Sequence, residues 1–145
     1  MKMKENRNGI NHQSSAAAAY KKGIDLYLQE NDPASALKYL LKAAKGGYTK
    51  AYGEIGIILH REKNKPAEAE KWFIKAEGSD SLFPAARYEY GMLHYLSKDD
   101  WETGLKYLLE SAKQGFELAY GDIGSITYIY KENIDEAEEW FKKAE

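Results

Sequence analysis

The stretch "LKYLLKAAKGGYTKAYGEIG" (residues 37–56) returns as "LKYLLESAKQGFELAYGDIG" (residues 105–124), with thirteen of twenty residues identical at an offset of 68. "PAEAEKWFIKAE" (66–77) and "IDEAEEWFKKAE" (134–145) keep the same offset. Each half divides again. Gly23, Gly56, Gly91 and Gly124 are 33, 35 and 33 residues apart, and so are Ala18, Ala51, Ala86 and Ala119. Tyr39, Trp72, Tyr107 and Trp140 follow the same spacing. The chain is therefore written as four units of about 34 residues, and odd units differ from even ones. Periods of this length belong to stacked supersecondary units, which bury their apolar faces only against one another.

Each unit reads as two helices. The first, A, carries the Ala–x4–Gly pattern, as in "AYGEIGIIL" and "ARYEYGMLHYL". The second, B, carries apolar residues at helical spacing, such as Ala69, Trp72, Phe73 and Ala76 at i, i+3, i+4 and i+7. The punctuation agrees. "NDPASA" sets Asn31 or Asp32 at a cap with Pro33 in the first turn, and "KDDW" sets Asp99 or Asp100 at a cap. Gly46–Gly47, Gly78 and Gly115 stand where B helices end and a left-handed residue is wanted. Strand signals are lacking. A glycine inside a helix costs about 1 kcal/mol in propensity, so one recurring per unit predicts close packing of A on B, with the ring from B covering the crossing. The expected fold is all-α, with a flexible tail over 1–15 and helix-pair repeats near 16–48, 49–82, 83–116 and 117–145.

These segments resemble a known family. "AYGEIG", "ARYEYG" and "AYGDIG", followed by "EAEKWFIKAE", "GLKYLLESAKQG" and "EAEEWFKKAE", are similar to Sel1-like repeats, relatives of the tetratricopeptide repeats. The resemblance covers about Ala16 to Glu145 and is strongest in "SAKQG" and "AAKGG". The sequence departs from the family pattern in its short A–B turns, and in Ile55, Tyr90 and Ile123 where the family has leucine before glycine. The resemblance implies a right-handed α/α superhelix whose A helices line a concave groove. It places groove positions three before, and one, four and five after, the A-helix glycine. Three before stand Tyr20, Gly53, Tyr88 and Gly121; one after, Ile24, Ile57, Met92 and Ser125; four after, Tyr27, His60, Tyr95 and Tyr128. The expected peptide- or protein-binding residues are Tyr20, Tyr27, Ile57, His60, Tyr88, Met92, Tyr95 and Tyr128. Tyrosines alternate with glycines along the first row, which suits pockets for side chains spaced along a peptide, and aromatics anchor interfaces. Tyr52 and Tyr120 are expected instead to pack against a neighbouring helix.

Composition narrows the classes. Twelve of 145 residues are tyrosine, against four phenylalanines, and aromatics with a polar tip suit half-buried surfaces. There is no cysteine, hence no disulfide, thiolate metal site or cysteine nucleophile. No apolar run is long enough to span a membrane, and "MKMKENRNGINHQSS" lacks the apolar segment of a signal peptide; a cytoplasmic location is expected. A net charge of −2 argues against nucleic acid as a partner. Charge is uneven: residues 1–50 carry nine Lys/Arg and four Asp/Glu, the remainder twelve and nineteen. That asymmetry suits an alternative reading, a structural assembly module whose repeat ends associate, though ordinary solvated faces are the simpler account of such charge.

No catalytic constellation emerges. The histidines are His12 in the tail and His60 and His94 near the ends of A helices, and two imidazoles do not close a zinc site that wants four ligands. A hydrolase built on His60 and His94 lacks a third group. Acidic runs in "PAEAEKW" and "IDEAEEW" sit in the first turns of B helices, where they suit the helix dipole. The glycines lie one per unit, too far apart to cradle a phosphate. The expectation is a non-catalytic adaptor without cofactor or metal, binding a protein or peptide. The last B helix ends at "WFKKAE" without a polar capping helix, and a monomer or weak dimer is expected.

Overall fold

The computed structural model describes the backbone from Lys2 to Glu145 and side chains from Ser15 onward; where a tail was expected over 1–15, the backbone from Lys2 belongs to α1, and the side chain of His12 lies outside the described residues. Among the described residues there are eight helices and no strands: α1 (Lys2–Leu28), α2 (Pro33–Lys45), α3 (Lys50–Arg61), α4 (Pro66–Gly78), α5 (Pro84–Ser97), α6 (Trp101–Lys113), α7 (Leu118–Tyr130) and α8 (Ile134–Ala144). The protein is all-α. It divides into two compact units, Met1–Leu82 with α1–α4 and Phe83–Glu145 with α5–α8. Each 68-residue half of the sequence thus supplies two helix pairs. In the first unit α1 packs on α2, α2 on α3 and α3 on α4; the second unit repeats this order from α5 to α8.

The A–B turns share one local solution. Asn31, Asn64, Asp99 and Glu132 adopt left-handed φ of 49°, 51°, 53° and 52°, a conformation best tolerated by short polar side chains. The next residue's N–H then closes back on the A helix: Asp32 on Leu26 O at 2.9 Å, Lys65 on Leu59 O at 2.8 Å, Asp100 on His94 O at 2.9 Å. This satisfies carbonyls that the helix end would otherwise orphan. That same residue starts the B helix. Asp32 accepts from Ser35 N, Asp100 from Thr103 N and Asn133 from Glu136 N, each at 3.1 Å. Of the two candidates at each turn, Asp32 and Asp100 are therefore the caps, and Asn31 and Asp99 are the residues that reverse the chain. At the B–A turns, Gly47 and Gly115 take φ of 87° and 89°, where a side chain would be strained. Gly46 stays at φ −80°. Gly78 does not play the expected part, because it closes α4 as its last residue and Asp80 supplies the left-handed turn at φ 54°.

The recurring glycines mark the A–B crossings, but at three of the four the residue on the glycine is the one after the expected ring. A Cβ on Gly23 would lie 2.7 Å from Leu40, on Gly56 2.5 Å from Phe73, and on Gly124 2.7 Å from Phe141. At α5–α6 two backbones meet, so that a Cβ on Gly91 would lie 3.0 Å from Gly104 O and one on Gly104 2.8 Å from Gly91 O. Trp72 and Trp140 lie to the side, with ring centroids 5.8 Å from Tyr52 and 5.9 Å from Tyr120. Leu40, Ile55, Ile58 and Phe73 form the heart of the first unit, all fully buried. In the second, Leu105, Leu108 and Ala112 of α6 meet Ala119, Ile123 and Ile126 of α7.

Candidate functional site

Two equivalent side-chain clusters stand on the A helices, one in each unit. In the first, Tyr20 of α1 is half-buried and its ring lies 4.9 Å from that of Tyr48 on the α2–α3 turn. Glu54 of α3 lies beside this pair and is also half-buried. Loss of water pushes the Glu54 carboxyl up to about 7, against the pull of Arg61. Burial, then the charge of Glu54 and the neighbouring Tyr48, pushes Tyr20 up to about 12. In the second unit the residues at an offset of 68 rebuild the arrangement. Tyr88 of α5 lies 5.2 Å from Phe116 on the α6–α7 turn, and its Oη donates to Asp122 Oδ2 of α7 at 2.7 Å. That distance belongs to a charge-assisted bond. Each unit thus joins a tyrosine, a second ring and a carboxylate drawn from three separate segments.

The positions two turns further along the A helices diverge between units. Tyr27 donates to Glu62 Oε1 at 3.2 Å. Its phenol is raised by burial, with Arg61 opposing and Glu62 reinforcing. Tyr95 meets the Tyr130 ring edge-on at 5.9 Å, and Tyr130 stacks on Trp101 at 5.2 Å and 13°. Burial, then hydrogen bonding with Tyr130, raises Tyr95. Tyr88, Met92 and Tyr95 all rest partly buried on the α6–α7 core. His60 is half-buried, and Tyr128 is the most open of the set at 56% exposed.

One expected position offers no surface. Ile57 is 4% exposed and is a core side chain of α3. Serine replaces it at the equivalent position 125, where Oγ donates back to Gly121 O at 3.1 Å. Glycine in the first row also has two faces: Gly53 is buried, whereas a Cβ on Gly121 would meet nothing within 4 Å. His94 is 8% exposed and stacks parallel to Tyr107 at 5.6 Å and 7°, with Tyr90 at 4.7 Å; its ring serves packing. Among the described residues no group of three His, Cys, Asp or Glu is placed to hold a metal, and no helix is long and apolar enough to cross a membrane.

Sequence reasoning missed the carboxylates. Glu54 and Asp122 precede the A-helix glycine by two residues, and an acid at both positions was visible at the 68-residue offset. So was the aromatic pair Tyr48 and Phe116. What the sequence did not show is that these residues converge on Tyr20 and Tyr88. Comparison with protein-family models, curated proteins and solved structures returns no match.

Proposed function

We propose that this chain is a non-catalytic interaction module of the Sel1-like kind, which binds a peptide or protein segment along the A-helix faces of its two units. The observation that carries the reading is the twofold occurrence of one side-chain cluster, Tyr20–Tyr48–Glu54 and Tyr88–Phe116–Asp122. A tyrosine held by a second ring and a carboxylate loses few rotamers on binding, which favours it as an anchor. The right-handed superhelix implied by the repeat resemblance, and a cytoplasmic site of action, belong to the same proposal.

Affinity capture tests it. Wild-type chain is compared with a Tyr20/Tyr88/Tyr95→Ala variant that keeps a cooperative helical melt. The reading expects a protein that the wild type retains and the variant releases. Equal retention by both places the contacts elsewhere and refutes the reading for these faces.

A further inference from the structure

The geometry points to Glu54 and Asp122 as twin subsites for the cationic side chains of a basic peptide, each pairing a lysine or arginine with a carboxylate beside aromatic rings. This inference rests on the peptide-binding reading above and names the chemistry of the ligand.

Three features select a cation. The first is the partial loss of water around both carboxylates, which are half-buried in the folded chain. At Asp122 part of the cost of removing solvent from the anion is thereby met before any ligand arrives, and an incoming ammonium or guanidinium gains more than it would at a fully solvated acid; Glu54, pushed up to about 7, is about half-protonated at neutral pH and gives up its proton as the cation enters. The second is the flanking rings. Tyr20 and Tyr48 in one unit, and Tyr88 and Phe116 in the other, offer π surface to a cation and apolar surface to its methylene stem. The third is acceptor capacity. Tyr88 takes one oxygen of Asp122, and a carboxylate has about four lone-pair sites in all.

The alternatives fare worse. An acidic side chain would meet like charge in both units. A purely apolar side chain would cover the carboxylate and leave it without compensation. Arg61 reaches toward Glu54 and also toward Tyr27; its equivalent in the second unit is Ile129, so α7 carries no such cation for Asp122. The long-range field favours the second subsite over the first: residues 83–145 carry seven Lys/Arg and thirteen Asp/Glu, a net charge of −6, which steers a basic partner toward the second unit, whereas residues 1–82 carry fourteen and ten, a net charge of +4.

The test is a titration at pH 8, where Glu54 is mostly ionised, of the full ¹⁵N-labelled chain, followed by amide chemical shifts, with N-acetyl-lysine methylamide and, separately, N-acetyl-glutamate methylamide. The lysine probe is expected to shift amides around residues 20, 48 and 54 and around 88, 116 and 122, and the glutamate probe to leave them in place. Glu54→Gln should weaken the first response about tenfold or more while leaving the second intact, and Asp122→Asn should do the reverse. The dispersion of the remaining amides within the mutated unit reports in each case that it is folded. The inference is overturned if neither substitution changes its own response, or if the lysine probe shifts the exposed acids Glu138 and Glu139 of α8 equally. It is also overturned if a partner captured through the tyrosines binds a Glu54→Gln/Asp122→Asn chain undiminished. That last result would leave the A-face reading standing.

Discussion

Gly56 and Gly124 occupy the same place in units two and four, yet Gly→Ala should have unequal effects at the two sites. At Gly56 the new Cβ would lie 2.5, 2.7 and 2.9 Å from Cε1, Cδ1 and Cζ of Phe73. Carbon atoms prefer about 3.5–4.0 Å, so the ring must retreat by roughly 1 Å. Phe73 is fully buried, and its retreat presses on a packed interior. With three ring carbons of a fully buried side chain inside 3 Å, this overpacking falls in the upper part of the usual range, about 2–3 kcal/mol, offset by about 1 kcal/mol of helix propensity. A net loss of roughly 1–2 kcal/mol follows, which in a domain of this size lowers Tm by about 3–6 °C. At Gly124 the Cβ would lie 2.7, 2.8 and 3.1 Å from the same atoms of Phe141. That ring is 40% exposed and sits three residues from the end of α8, so it can swing toward solvent. The two terms then cancel to within about 0.5 kcal/mol. Urea unfolding followed by circular dichroism at 222 nm measures both variants. Equal destabilisation at the two sites would show that burial of the facing ring does not govern the outcome. A neutral Gly56→Ala would refute the claim that glycine is needed at that crossing.

Other substitutions probe separate features. Glu54 has its ordinary value of 4.5 when unfolded and about 7 when folded, so the folded state holds the extra proton between these values. Its contribution, roughly 3 kcal/mol, is complete below about pH 4.5 and lost as pH rises through about 7; Tyr20 of α1 and Arg61 of α3 face the same group. Glu54→Gln should therefore raise Tm at pH 8 and flatten that part of the stability–pH curve, and an unchanged slope would count against the burial of this carboxyl. Thr127 is fully buried and its Oγ1 has no hydrogen-bond partner; Thr127→Val should stabilise by about 1 kcal/mol in the same urea assay, and a loss would mean that the hydroxyl is satisfied. Gly121→Ala meets open space within α7 and should also stabilise, by up to about 1 kcal/mol, whereas a lower Tm would indicate contacts at that site.

The period of the glycines, alanines and aromatics was enough to fix four helix pairs, their turns and which residues are equivalent. Each of those follows from local chemistry: helical spacing of apolar residues, a carboxylate or amide at a cap, a residue able to turn left-handed. Even so, local signals left adjacent candidates undecided. Asn31 and Asp32 both suit the turn, and only the closing bond from Asp32 N to Leu26 O assigns their roles. Neighbours on a helix point about 100° apart, and the crossing of A on B decided that Phe73 rather than Trp72 lies on Gly56. Packing also buried Ile57, which the family resemblance had placed on the binding face. The Tyr88–Asp122 bond joins residues 34 apart in sequence, and Glu54 meets Tyr20 across the same separation. No periodicity encodes such a meeting, because it depends on the distance and angle between two A helices. Residue types at this face were set by the sequence; their convergence into carboxylate-and-ring clusters was set by packing.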